Sequence, residues 1–288
     1  FDVAKDELVV VAGRLYDDMT PELYARKSFP NSDKGFCALL VWMNKLTEPS
    51  IETRFVMEAT GVYHEKLAYF LYGQGQLITV VLPNKISNYF RTLETKTITD
   101  KTASDAIARF GLERKLDNWK PASPVYKKLR QLTRERDQLV QNRTIAKNQL
   151  HAEQSEAEPN KTSLARVKKL IFLLDKQEKE IKAELAALVK QNEEVKRKVE
   201  LIISIPGVGA LTAVTVLAET NGFELIRNKK QLTSYAGLDV KEKQSGTSVK
   251  GKAVISKKGN KFLRKTMHLP ALASIRHDER FKAIFARL

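Results

Sequence analysis

The feature that most constrains this chain is a heptad rhythm in its middle third. From Leu164, the residues Val167, Ile171, Leu174, Ile181, Leu185, Leu188, Val195, Val199 and Ile202 follow in steps of three and four, with Glu178 and Asn192 the two polar members of the series. Residues at that spacing form one narrow stripe along a helix, and a stripe sustained over several heptads is the seam of a coiled coil. Polar members of such a seam set register and partner choice at a cost in stability. An earlier run, Val125, Leu129, Leu132, Leu139, Ala146 and Leu150, has the same rhythm, with the basic residues Arg136 and Arg143 on the seam. The polar stretch Glu156-Ala157-Glu158-Pro159-Asn160 separates the two runs. Two long helices joined by a polar turn are predicted, as an antiparallel hairpin, a dimerisation stalk, or both.

The flanks follow other rules. Leu8 to Gly13, Arg54 to Glu58 and Leu77 to Leu82 read as short strands. Asn31 and Ser32 are candidate caps for a helix through Lys45, and further helices are predicted over Tyr63 to Leu71 and Lys101 to Leu112. Strands first and then alternating strands and helices predict a mixed α/β domain over residues 1–121. Residues 122–201 hold the heptads. Residues 202–288 form a third, mainly helical part, with an apolar helix from Leu211 to Glu219, a short helix through Tyr235, a glycine-rich basic stretch from Gly246 to Gly259, and a last helix from Lys261. Phe1 already reads as strand and the chain stops in the basic, apolar segment from Phe281, so the sequence is expected to be a truncated piece of a longer protein.

Hydrophobic residues make up 42% of the chain, which excludes a disordered protein. Lys and Arg outnumber Asp and Glu by 50 to 34, a formal charge of +16. That excess suits a polyanion, because each phosphate neutralised releases a condensed counterion. It is spread along the chain rather than gathered on one amphipathic helix, which argues against a membrane surface. The single cysteine, Cys37, sits in the apolar run Phe36 to Trp42 and reads as a small buried hydrophobe in a reducing compartment. No apolar run approaches the roughly 18 residues of a membrane helix, and no signal peptide is visible, so a cytoplasmic protein is expected. The histidines, His64, His151, His268 and His277, show no metal-ligand spacing, and Trp42 and Trp119 read as core residues.

Three groups of residues can carry chemistry. The first is acidic: Asp2 on the first strand, Glu58 at the end of a later strand, and Asp100 and Asp105 at the start of a helix. Carboxylates converging from those elements would hold two hard cations roughly 4 Å apart, and Mg²⁺ suits an all-oxygen donor set. Taken singly, each acid reads as a solvated surface carboxylate, and only the set on those elements in that order points to a metal site. The second is Ile205-Pro206-Gly207-Val208-Gly209 ahead of a helix, the hairpin of a helix-hairpin-helix element. There Gly207 and Gly209 would let the backbone approach a DNA phosphate, and the alternative is an ordinary glycine turn. The third is Gln244-Ser245-Gly246, followed by Lys250, Lys252, Lys257, Lys258, Lys261 and Arg264. Among those cations Ser245 reads either as a nucleophile toward a phosphodiester or as a plain phosphate-binding hydroxyl.

Together these segments resemble a known family. Asp2-Val3-Ala4-Lys5-Asp6, Met57-Glu58-Ala59-Thr60-Gly61-Val62-Tyr63 and Lys96-Thr97-Ile98-Thr99-Asp100-Lys101 are similar to the N-terminal DEDD domain of the Piv-like invertases and insertion-sequence-110 transposases. Ile205-Pro206-Gly207-Val208-Gly209, Tyr235-Ala236-Gly237-Leu238, Gln244-Ser245-Gly246 and Ile255-Ser256-Lys257-Lys258-Gly259-Asn260 resemble their C-terminal transposase domain. The resemblance implies an RNase H-like (RuvC-like) domain, a coiled-coil dimerisation region and a catalytic serine in the third part. It further implies a structured bridge RNA that pairs with target and donor DNA, and a homodimer or higher homo-oligomer. Carried over by residue, Asp2, Glu58 and Asp100 become metal ligands and Ser245 the covalent nucleophile, with the acidic site carried by a partner subunit. One departure concerns the fourth acid. The position three after Asp100 is Ala103, and Asp105, five residues on, lies some 140° away around a regular helix. Either the helix starts only after Asp100, so that Asp105 converges, or the site uses three acids. Two other readings stand beside a recombinase: a RuvC-like nuclease or junction resolvase in which water attacks, and a non-catalytic DNA-binding scaffold.

Overall fold

The computed structural model describes the chain except for Pro49, Thr60, residues 94–96, Ile98, Leu225, Lys243, residues 246–248, Lys252 and Leu288, and it describes the backbone alone at 244–245 and 249–250. It divides into two compact units, Phe1–Pro121 and Ala122–Leu288. No described helix is long and apolar enough to cross a membrane.

The first unit opens with three antiparallel strands, β1 (Asp2–Val3), β2 (Glu7–Leu15) and β3 (Pro21–Pro30). Their register sets Asp2 opposite Val9 and Leu8 opposite Phe29. Along β2 every second side chain, Leu8, Val10 and Ala12, is buried, as a strand's two-residue period requires. Helix α1 (Asp33–Leu46) follows, with Ser32 as its N-cap accepting from the Gly35 amide. It buries Phe36, Leu39 and Met43, a three-and-four spacing that leaves Cys37 on the outer flank. The expectation of a buried cysteine is therefore wrong: Cys37 is exposed, because the apolar run around it is wound on a helix with only one side on the core.

Strand β4 (Arg54–Glu58) then pairs in parallel with β5 (Leu77–Val81) through helix α2 (His64–Gly73). Phe55, Val56 and Met57 are all buried, because β4 is covered on both faces. Phe55 and Met57 join the main core, whereas Val56 packs with Val81, Ile86 and Ile107 under α3 (Pro83–Phe90) and α4 (Asp100–Glu113). The amino group of Phe1 donates to the Val56 carbonyl at 2.8 Å, which sets β1 beside β4.

The second unit is built on two 31-residue helices, α5 (Pro124–Gln154) and α6 (Lys161–Gln191), each about 46 Å long. They lie antiparallel. Lys128 pairs with Glu184 at 3.0 Å, Arg136 with Glu178 at 2.9 Å and Arg143 with Asp175 at 2.6 Å, so partners descend along α6 as they ascend α5. The basic and acidic breaks in the two seams thus meet each other. The seam runs on to Ile202, but the helix does not. At Asn192 the backbone is extended (φ −120°, ψ 105°), and the Asn192 side chain caps a new helix, α7 (Glu193–Ile203), by accepting from the Val195 amide at 3.0 Å. Helix α8 (Ala210–Glu219) packs on α5 and α7 through Val195, Val199, Ala213, Val214 and Leu217. Beyond it come α9 (Lys229–Ala236), four two-residue strands, β6 (Val240–Lys241), β7 (Gln244–Ser245), β8 (Val249–Lys250) and β9 (Val254–Ile255), and the helices α10 (Lys261–His277) and α11 (Glu279–Phe285).

Candidate active site and nucleic-acid surface

In the first unit, Asp2 is held between β2 and β4 on a strand only two residues long. Burial, and next the negative charge of Asp100, push its carboxyl above the ordinary range, against the opposing Phe1 amino group and Val3 amide. Asp2 on β1 and Asp100 at the start of α4 therefore lie within electrostatic reach of each other. Glu58 ends β4. The Phe1 nitrogen lies within electrostatic reach of both Asp2 and Glu58, so the two carboxylates share one neighbourhood. Asp100 is the first residue of α4 and is exposed. Thr99 caps that helix: its hydroxyl accepts from the Thr102 amide at 3.2 Å, and the Thr102 hydroxyl accepts from the Thr99 amide at 2.8 Å. A carboxylate in a first turn is stabilised by the helix dipole.

Asp105 goes elsewhere. Because α4 is regular from Asp100 onward, Asp105 points to another side of the helix and forms an ion pair with Arg26 of β3. The possibility that the helix begins only after Asp100 does not hold. Among the described residues, no group of three or more His, Cys, Asp or Glu side chains is close enough to hold a metal ion by itself. The pair Asp2 and Asp100 fits Mg²⁺ all the same. That ion is commonly bound by one or two carboxylates, with waters and substrate phosphates completing its shell, and it would relieve the repulsion between the two acids.

In the second unit, β6 pairs with β9 and β7 with β8, both antiparallel, forming a ribbon that carries Ser245 opposite Val249 and Lys250 opposite Gln244. The side chains of Ser245 and Lys250, and all of Gly246 and Lys252, lie outside the described residues. The base of the ribbon is well defined. Ser256 donates to the Asp239 carboxylate at 2.6 Å, the Lys257 amide donates to the Gly237 carbonyl at 3.0 Å, and the Asn260 amide donates to the Tyr235 carbonyl at 2.7 Å. Gly259 is required there, since a Cβ would stand 2.4 Å from the Gly237 nitrogen. Lys257, Lys258 and Lys261 are exposed, whereas Arg264 turns inward and donates to the Ala236 carbonyl at 2.7 Å, closing the end of α9.

The turn between α7 and α8 separates the two glycines that the motif groups together. Gly207 has φ +83°, and a Cβ on it would lie 2.7 Å from the Pro270 carbonyl oxygen and 2.8 Å from Ser274 Oγ. Its close neighbour is α10, to which Ser274 Oγ adds a 2.5 Å hydrogen bond to the Pro206 carbonyl. Gly209 is open, with nothing within 4 Å of its Cβ direction, and it is the N-cap of α8. Both glycines are exposed, and they differ in that Gly207 is pressed against α10 on its Cβ side whereas Gly209 is open there.

Sequence reasoning missed a buried polar cluster beneath the ribbon. Glu219, 1% exposed at the end of α8, receives a bidentate pair from Arg134 at 2.7 and 2.8 Å and a 2.6 Å hydrogen bond from Asn260 Nδ2. Tyr235 donates its hydroxyl to the Glu219 carbonyl at 3.1 Å, and the Arg134 guanidinium lies 4.6 Å from the centre of the Phe262 ring. The available signal was a lone acid ending the otherwise uncharged stretch Ala210-Leu211-Thr212-Ala213-Val214-Thr215-Val216-Leu217-Ala218.

Comparison with known proteins matches both halves of this description. A family model for DEDD transposases of the IS110 type, described as a transposase, covers residues 1–155, and a model described as Transposase IS116/IS110/IS902 family covers residues 199–286. The pilin gene-inverting protein of Moraxella bovis is 28% identical over 249 residues, which is 85% of this chain and 74% of that protein. That of Moraxella lacunata is 28% identical over 258 residues, 88% of this chain and 77% of that protein. The transposase for insertion sequence element IS1111A of Coxiella burnetii is 38% identical over 97 residues, 33% of this chain and 24% of that protein. With a mixed α/β acidic unit and a basic serine ribbon each matched by its own model, the chain belongs to the IS110 family of transposases, and its activity is that of a DNA transposase or recombinase.

Proposed function

We propose that the protein cuts and rejoins DNA with a serine nucleophile, Ser245, assisted by a Mg²⁺-binding acidic site of RNase H-like type at Asp2, Glu58 and Asp100. The observation that supports the acidic half is that the charge of Asp100 acts on the half-buried carboxyl of Asp2, with the two acids on the first strand and a late helix, the elements that such a domain uses. Mg²⁺, when bound there, supplies Lewis-acid stabilisation of charge on phosphate oxygens. Asp2, Glu58 and Asp100 would hold the ion, while Asp105 is engaged in its ion pair with Arg26 of β3. In the cleavage step the Ser245 oxygen forms a bond to phosphorus and one phosphorus–oxygen ester bond of the DNA breaks. The departing DNA oxygen takes up a proton, and the serine proton passes to solvent or a nearby base. Lys257, Lys258 and Lys261 on the ribbon base, the open amide end of α8 at Gly209, and Lys250 and Lys252 are the phosphate contacts.

The chain is read as three working parts, residues 1–121, 122–201 and 202–288, with the α5–α6 hairpin a coiled coil through which copies of the chain associate. Ile145, Leu170, Phe172 and Leu173, apolar and exposed on the two helices outside their shared seam, support that association. A structured guide RNA, implied by the family likeness, accords with the +16 charge, and the protein is read as acting on DNA in the cytoplasm. The test is to trap protein–DNA adduct from the full-length protein supplied with the RNA that co-purifies with it. A covalent adduct with wild type that is absent from Ser245→Ala is expected. An adduct that persists in Ser245→Ala removes the serine from the mechanism, and cleavage without adduct in wild type replaces this reading by a resolvase in which water attacks.

A further inference from the structure

We infer that Glu219, acting through Asn260, is a positioning residue that fixes the direction of the serine ribbon. The inference rests on the reading of Ser245 as nucleophile. Asn260 is read at both ends of its amide. Its Oδ1 accepts from the Phe262 and Leu263 amides at 2.9 and 3.1 Å, capping α10, while its Nδ2 donates to Glu219 Oε2 at 2.6 Å. One side chain thus ties the start of α10 to the end of α8, and only one orientation of the amide satisfies both. Glu219 is in turn locked by the Arg134 fork, so the tie runs back to the long helix α5. Asn260 also closes the ribbon through its amide on the Tyr235 carbonyl, two residues past Lys258.

Stability alone gives no reason to keep a carboxylate that is 1% exposed at the end of α8. Apolar replacement of a buried ion pair is often neutral or stabilising. What the cluster adds is directional: a carboxylate accepts from fixed lines, whereas an apolar contact lets the ribbon base slide. A second observation at the same place is strain. Lys257 adopts φ +54°, a left-handed conformation that non-glycine residues rarely take and that persists only where neighbours over-determine it. The tie at Asn260 and the Ser256–Asp239 hydrogen bond lie on either side of that strained residue.

The test compares Asn260→Ser, Glu219→Gln, their double variant and Ser245→Ala in the full-length protein. The substrate is the labelled DNA duplex on which wild type forms adduct, with the co-purifying RNA supplied. Serine keeps the cap on α10 and loses only the reach to Glu219. For Asn260→Ser the rate of adduct formation at saturating DNA is expected to fall between about tenfold and 10²-fold, the scale of a small misplacement of reacting groups. The DNA concentration at half-saturation should stay within about twofold and the melting temperature close to wild type. If Glu219 acts through Asn260, the double variant loses no more than Glu219→Gln alone. Unchanged saturating rate in Asn260→Ser, a loss that appears only as weaker DNA binding, a loss that tracks the unfolded fraction, or additive losses in the double variant each overturns the inference. If Ser245→Ala still forms adduct, the nucleophile reading falls and takes this one with it. If Ser245→Ala is dead while Asn260→Ser is fully active, only the positioning inference falls.

Discussion

Replacing Glu178 by glutamine removes one negative charge from the middle of the α5–α6 hairpin while keeping the shape of the side chain. The carboxylate is 5% exposed and takes hydrogen bonds from Arg136 at 3.0 and 2.9 Å, from Arg143, and from Lys182 at 2.9 Å. Burial pushes its pKa up. The hydrogen bonds from Lys182 and Arg136, the charge of Arg136 and the hydrogen bond from Arg143 outweigh it and hold the group at about 2, against an ordinary 4.5. A carboxyl depressed on folding contributes stability that is present in full above its unfolded value and lost as pH falls through its folded one. The difference amounts to about 3 kcal/mol. Arg143 keeps Asp175, and Arg136 and Lys182 are 25% and 52% exposed, so water takes over part of their solvation in the variant. Glu178→Gln is therefore expected to cost about 2–3 kcal/mol, below the 3–5 of a fully enclosed pair. In a unit of this size that lowers the melting temperature by roughly 5–10 °C. Urea unfolding followed by helical circular dichroism at pH 6 and pH 3 checks both sign and size: the gap between wild type and variant should narrow by about 2 kcal/mol at the lower pH. Equal stability at pH 6, or a gap as wide at pH 3, would refute the account of Glu178 as the charge that holds the hairpin register.

Three further outcomes are expected. Mg²⁺ should raise the melting temperature of wild type in calorimetry but not that of Asp2→Asn, and an equal rise in both would remove Asp2 from the metal site. Gly207→Ala places a Cβ 2.7 Å from the Pro270 carbonyl at φ +83° and should destabilise the second unit by about 1–3 kcal/mol, read as a lower urea midpoint with unchanged slope. Lys257→Ala with Lys258→Ala should weaken DNA binding and lower the slope of log affinity against log salt by about 2, one phosphate contact for each lysine; an unchanged slope would take both off the interface.

What is periodic or local in the protein was legible in its sequence. Strand β4 over Arg54 to Glu58, the Ser32 cap, the two heptad runs with their polar turn, and the order of acids along the first unit all follow from side chains acting on their own backbone or one turn away. The family motifs were equally readable, being short runs of adjacent residues. Tertiary structure decided the pairings between residues far apart in the chain. Arg136, Arg143 and Glu178 appear in sequence as three separate breaks in two seams, and only the antiparallel register of α5 and α6 makes them one ion-pair layer. Asn192 reads as one more polar seam position until the backbone turns extended and makes it a cap. Cys37 falls outward, Gly207 faces α10, and Asp105 pairs with Arg26, because each depends on which element lies across from it. Glu219 shows the reason most plainly: its partners Arg134 and Asn260 stand 85 and 41 residues away, and no local spacing encodes a hydrogen bond that exists only once three helices have packed.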